Sequence, residues 1–373
     1  MDQVDRAPQN PTVPLLPPPG VMPQTTGTGP AGRSFLGEVK KAVTPRAALL
    51  VVAVVAVQLL FIASYVGALH HPRMRDVPFG VVTPGAAAAQ QKARLEGLPG
   101  SPLDPRTATD EATARERILH REIDGALVVD PDGRRDVLLV ASGGGSALAT
   151  DLRALLTDVE RASGRTVRTV DVAPSSPQDF DGLSSFYVVV GWCVGGYLCA
   201  SIIAISAGAR PADPLRAAVR LGAVALTALV GGLGGAVIVG PVLGALPGSV
   251  AALWGLGALV TFSVGAVTLA LQGFFDVVGI GLAILLVVVA GNPSAGGAFP
   301  LPMLPPFWAS IGPALPPGAG TWTARSFAYF DGNAVLGPLL VLAAWALAGS
   351  VLTMLSAVPH RERNEEGTTA PTP

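Results

Sequence analysis

Ala47–Leu69, AALLVVAVVAVQLLFIASYVGAL, runs for 23 residues without a charged side chain. A helix rises about 1.5 Å per residue, so a stretch of this length crosses a hydrocarbon core of about 30 Å. A cleaved signal peptide has a shorter apolar centre and a short basic leader, whereas this run follows a long Pro-rich tail. The stretch therefore reads as an uncleaved membrane anchor, and it decides how the rest of the chain is read.

Five further apolar runs follow: Phe186–Gly208, Leu221–Gly240, Ala251–Leu271, Phe274–Gly291 and Val335–Val358. The stretch 250–291 is too long for one span, and Gln272, Gly273 and Asp276 mark where it turns. Only 14% of the residues are charged, against about 25% in soluble domains. The fold expected is a membrane all-α bundle of six transmembrane helices, with an inserted extracytoplasmic α/β domain between helices 1 and 2. Gly191-x-x-x-Gly195 and Gly231-x-x-x-Gly235 have the spacing that lets helices approach closely.

Short-loop arginines and lysines set the orientation. Lys40, Lys41 and Arg46 precede the first span, Arg210, Arg216 and Arg220 lie between the second and third, and Arg361 and Arg363 follow the last. The loop 241–250 has no charge, and 292–334 has only Arg325 and Asp331. Six spans place all three basic segments on one side, so both termini are expected in the cytoplasm of a bacterial cell. Arg73 and Arg75 oppose this weakly, because a long segment follows them.

The segments divide accordingly. Residues 1–33 are a disordered Pro-rich tail. Residues 34–69 hold an interfacial helix, with Lys40 and Lys41 facing lipid phosphates, and the first span. Residues 70–185 form the extracytoplasmic domain, 186–291 hold spans two to five, 292–334 are an extracytoplasmic Pro/Gly-rich loop, 335–358 are span six, and 359–373 are a cytoplasmic tail. Within 70–185, strands are expected at Val77–Val82, Ala126–Val129, Val137–Val140 and Thr166–Val172. Helices are expected around Ala86–Leu95, at Glu111–Glu122 and at Ala147–Ala162. Asp130-Pro131-Asp132-Gly133 is a turn.

Chemistry is sparse. The carboxylates of 70–185 form no singled-out acid pair, and His70, His71 and His120 have no metal-ligand spacing. Gly143-Gly144-Gly145-Ser146 reads as a flexible turn with Ser146 capping a helix, rather than as an anion site. Cys193 and Cys199 read as small buried hydrophobes. None of the lysines, Lys40, Lys41 and Lys92, follows a glycine, so no P-loop is present. No catalytic group, metal or cofactor is expected on this chain. A net charge of −1 excludes the basic footprint of nucleic-acid binding. The loop 292–334 is apolar yet broken by Pro300, Pro302, Pro305 and Pro306, which bar a continuous helix. It reads as a gate, or as a packed cap, at the outer membrane interface with Trp308 and Trp322 in the aromatic belt.

One span, an α/β insert and five further spans resemble the ABC type-2 exporter permeases, close to the phage-infection-protein-like membrane proteins of actinobacteria. Three segments carry the resemblance: Val77-Pro-Phe-Gly-Val-Val-Thr-Pro, Glu122-Ile-Asp-Gly-Ala-Leu-Val-Val-Asp-Pro, and the loop Gly291-Asn292-Pro293-Ser294-Ala295-Gly296-Gly297. It implies a half-transporter that forms a homodimer or heterodimer in the bilayer and exports a hydrophobic or amphipathic substrate with a separate cytoplasmic ATPase, which would hold the ATP. The segment Ala209–Arg220, with Arg210, Asp213, Arg216 and Arg220, would contact that ATPase. The loop from Gly291 to Gly297 would be the outer gate. The competing expectation is a non-transporting membrane protein whose insert binds a surface partner or phage.

Overall fold

The computed structural model describes residues 45–85 and 87–358. The expected Pro-rich tail, the interfacial helix up to Thr44 and the carboxyl tail lie outside them. The described chain is mostly helical, and six helices are long and apolar enough to cross a membrane: Ala47–Leu69, Ser184–Ala207, Pro214–Val242, Val250–Phe275, Val277–Ser294 and Leu336–Ser356.

The first of these belongs to α1, Pro45–Leu69. Between it and the second lies a sheet: β1 (Val77–Val82), α2 (Ala87–Glu96), β2 (Leu103–Ala108), α3 (Glu111–Leu119), β3 (Gly125–Val128), β4 (Arg135–Val140), α4 (Ser146–Ala162) and β5 (Thr166–Asp171). The strand order is β2-β1-β3-β4-β5. β1 is parallel to both neighbours, β3 and β4 form an antiparallel hairpin, and β5 runs parallel to β4. The hairpin turn is the expected one, with Asp130 Oδ1 accepting from the Asp132 and Gly133 amides at 3.1 and 3.0 Å. Apolar residues cover both faces. Phe79, Leu127, Leu138, Leu152 and Leu156 build one core, and Val82, Ile118, Ala126 and Leu139 the other. β2, Leu-Asp-Pro-Arg-Thr-Ala, was not expected. It is an edge strand, where a proline removes no ladder hydrogen bond that a second neighbour needs.

The remaining helices are α5 (Ser184–Ala207), α6 (Pro214–Val237), α7 (Val250–Phe275), α8 (Val277–Ile284), α9 (Pro306–Ile311), α10 (Pro316–Tyr329) and α11 (Leu336–Ser356). α7 packs against α5, α6, α10 and α11. α6 continues to Val242 and α8 to Gly291 as π-helix. The expected turn between spans four and five falls at Asp276, exposed and at φ +53°, which ends α7 and starts α8. Outward side chains such as Ile205, Leu226, Val230, Val277 and Leu347 are large, apolar and exposed, the composition of a lipid-facing surface.

Of the expected glycines, Gly235 packs tightly against the Trp192 ring of α5, while the closest backbone approaches to α7 fall one residue away, at Gly196 and Gly232. Added Cβ atoms at Gly191 and Gly231 would meet open space, whereas one at Gly196 would press on Thr261 O of α7 at 2.5 Å and one at Gly232 on Ala258 N at 2.6 Å. Backbone approach is therefore made by α5 and α6 to the same central helix.

Among the described residues, those from Ala56 onward group into one compact unit, so the sheet shares its unit with α5 to α11. The packing shows how they join. Met303 and Phe299, from the Pro-rich segment, complete the sheet's larger core. The Arg73 and Arg75 amides donate to Met303 O and Pro302 O at 3.2 and 2.9 Å, and Arg75 Nη1 donates to Leu304 O at 2.9 Å.

Candidate functional site: the cavity between the sheet and α10

Residues 316–329, expected to lie in an irregular loop, fold as α10. Pro316 and Pro317 occupy its first turn, where a proline's missing N–H costs nothing. The helix has 14 residues and, at about 1.5 Å each, is too short to span a bilayer. Nearly all of it is buried, including Thr321, Thr323, Arg325 and Ser326. The loop Gly291–Gly297 is buried beside it, enclosed by protein. Trp322 sits on this helix. It is half-buried, and its Nε1 donates to Ala334 O at 3.0 Å.

Arg325 holds this region together. It is 3% exposed, and its guanidinium donates to three carbonyls: Gly296 and Gly297 at 2.7 Å each and Gly182 at 3.3 Å. Its Nε has no partner. One turn later the Tyr329 hydroxyl donates to Asp179 Oδ2 at 2.6 Å and lies 3.2 Å from Ala245 O. The α10 end is thereby tied to the segment after β5 and to the 243–249 turn. Gly145, at φ +149°, packs against Pro300 so closely that any Cβ would overlap the proline ring. The Gly-rich motif is thus a close-approach point. Gly145 is the cap position of α4 and Ser146 its first residue, so Ser146 is not the expected cap.

A cavity of about 500 Å³ opens between the sheet and this segment, within the range of small-molecule sites. Its wall is mainly apolar, with Pro300, Leu301, Pro302, Ala319, Trp322 and Leu336, and it carries Arg121, Glu122, Asp124 and Arg325. Leu336 is 71% exposed and opens the first turn of the final span, which puts it at the rim. The Arg121 guanidinium lies 3.4 Å from the centroid of the Trp322 ring and 4.8 Å from that of Phe330. Its Nη1 donates to Trp322 O at 2.9 Å and Ser326 Oγ at 2.8 Å. Surrounding protein excludes water on this side, which pulls the Arg121 guanidinium down to about 9, with the charge of Arg325 adding to it. The same desolvation pushes the Asp124 carboxyl up to about 6, against the pull of Arg121 and Arg106.

The expected ATPase-contact residues lie at the opposite end of the helices and have structural partners. Arg220 is buried and donates to Ala209 O and Ala207 O at 2.9 and 2.8 Å, closing the end of α5. Arg210 does the same for α11, through Ser356 O at 2.9 Å and Val358 O at 3.2 Å. Asp213 caps α6, accepting from the Arg216 amide at 2.8 Å. Arg216 is 70% exposed, with Asp213 beside it at 3.4 Å. The structure brings the Gly291–Gly297 residues to the cavity region and keeps them apart from this basic loop.

The chain matches no family model, no curated protein and no solved structure.

Proposed function

We propose that this chain is the membrane-spanning subunit of an exporter that moves hydrophobic or amphipathic molecules outward from a bacterial cell membrane, driven by a separate ATPase. The observation that carries the reading is the way the fifth span ends. Its helix passes into π-helix over Leu285–Gly291, closes with one short α-turn at Asn292–Ser294 and runs into irregular backbone at 295–300, part of which borders an apolar cavity. Irregular backbone among membrane helices is tolerated where it is enclosed by protein or lines a cavity, and broken helices of this kind mark solute sites in transporters. In this reading the sheet is extracytoplasmic, both termini are cytoplasmic, two half-transporters pair in the bilayer, and the cavity is an outer vestibule. The 209–220 segment faces the cytoplasm and offers Arg216 to the nucleotide-binding partner.

Purification from native membranes tests this. The chain should hydrolyse no ATP alone, should carry a nucleotide-binding subunit with it, and should stimulate that subunit's hydrolysis. Arg216→Glu should cut the stimulation about tenfold, a cost of about 1.4 kcal/mol in coupling, because the side chain supports no helix end. Recovery of the chain from native membranes without any nucleotide-binding subunit would contradict the exporter reading.

A further inference from the structure

The cavity is apolar along most of its wall, yet it holds two arginines, and neither is matched by a carboxylate within ion-pair distance among the described residues. Arg325 spends its terminal nitrogens on backbone carbonyls, which bear no net charge, and its Nε is unpartnered although the side chain is 3% exposed. Arg121 is pinned by one nitrogen, Nη1, and by stacking on Trp322. Its Nε and Nη2 make no hydrogen bond to a described residue and lie along the plane of a guanidinium whose orientation is already fixed. A pre-oriented guanidinium fork with two open donors is the shape that recognises a carboxylate or phosphate. Holding it in place before binding removes the entropy cost that a mobile surface arginine incurs on binding.

The negative groups present do not fill that role. Glu122 is exposed toward solvent, and Asp124 and the buried Asp179 act on Arg121 and Arg325 through space without either coming within ion-pair distance among the described residues. From Arg121 the wall continues through Pro300, Leu301 and Trp322 to the exposed Leu336 on the first turn of a membrane-spanning helix. A charged end and an apolar path toward lipid are joined in one space.

We propose that this cavity binds an amphipathic anion, its carboxylate or phosphate on Arg121 with the charge of Arg325 behind it, and its acyl chain lying along the Pro300–Leu301–Trp322 wall toward Leu336. The ligand is either a free fatty-acid-like molecule or an anionic phospholipid entering from the outer leaflet. This assigns a charge to the molecule handled by the exporter proposed above and in that respect rests on that reading. Binding itself requires neither ATP nor a partner subunit, so the two fail separately.

The test uses the full chain in phosphatidylcholine nanodiscs and three brominated quenchers of tryptophan fluorescence: a fatty acid, phosphatidylglycerol, and an alkyl trimethylammonium of matched chain length. The signal is the quenching lost in Trp322→Phe, which reports this ring alone and keeps an aromatic surface under Arg121. At least one anionic probe should quench saturably while the cation does not, and whichever anionic probe binds identifies the source. Arg121→Gln should raise the half-saturating concentration about tenfold or more, as expected for losing one charge-assisted contact. Gly337→Phe should abolish the saturable phase. Gly337 borders the cavity, and an added Cβ there meets no atom within 4 Å, so the ring would enter open space and leave the fold intact. Equal quenching by the cation, no saturable quenching by either anion, or an Arg121→Gln curve that overlays the wild type would each overturn the proposal.

Discussion

Arg325→Ala should be the most damaging single substitution in the chain, with folded protein recovered poorly and unfolding at a much lower temperature. Three carbonyls, those of Gly182, Gly296 and Gly297, depend on its guanidinium. They come from two segments far apart in sequence and are sealed from water by α10. Each buried acceptor left without a donor costs about 1–3 kcal/mol, so the sum is of the order of the stability of a whole domain. Arg325→Lys should recover only part of the loss. A compact ammonium on a single stem cannot reach acceptors spread as widely as a planar fork can. Thermal unfolding of the purified protein in detergent checks the ranking: wild type highest, lysine intermediate, alanine lowest. Equal midpoints for alanine and wild type would show that the carbonyls find other donors.

The second large effect is expected in the sheet. Asp136 has no exposed surface, and its carboxylate takes a two-pronged contact from Arg165, at 2.5 Å from Nη2 and 2.7 Å from Nε. It also accepts the Asp130 amide at 2.9 Å, while Arg165 reaches the carbonyls of Asp130 and Gly133 at 2.7 and 3.1 Å. This one pair therefore anchors the β3–β4 turn and the start of β5. Removing one partner of a buried pair costs about 3–5 kcal/mol when the other charge is left without compensation. Arg165 is partly exposed and keeps Glu160 Oε2 at 3.9 Å, which puts the loss at the lower end of that range. Asp136→Ala should lose that much in chemical denaturation, whereas Asp136→Asn, which keeps one acceptor oxygen for the Asp130 amide and Arg165 Nη2 but turns an NH2 toward Arg165 Nε, should lose less. Identical losses for the two variants would mean that packing, and not the hydrogen-bonded charge, holds the turn.

Uninterrupted apolar runs made the six membrane-length helices readable, because helix length against bilayer thickness is a direct physical constraint. The strands β1 and β4 and the Asp130–Gly133 turn were readable for a similar reason, since alternation and turn chemistry act locally. β2 was not, because Asp104, Pro105 and Arg106 carry no strand signal and its conformation comes from pairing with β1. α10 was hidden by its own prolines. Prolines break a helix when they fall inside it, but Pro316 and Pro317 begin one. The cavity was the least legible feature. Arg121 and Asp124 stand about 200 residues before Trp322, and only folding joins them. One signal did exist: Arg325 stands as the lone basic residue in 292–334, and an isolated charge among apolar residues is rarely without a buried partner or a function. The basic loop at 209–220 shows the converse. Its composition gave an orientation for the spans, whereas its geometry shows Arg210 and Arg220 closing helix ends.

All of this depends on lipid being the solvent around the exposed apolar faces of α1, α5, α6, α8 and α11. Labelling of single cysteines in intact cells tests that most directly. With Cys193 and Cys199 replaced by serine, Asp132→Cys on the exposed hairpin turn should react with a membrane-impermeant maleimide added outside, and Arg216→Cys should react only after the membrane is opened. Reaction of both positions from the same side would contradict the account.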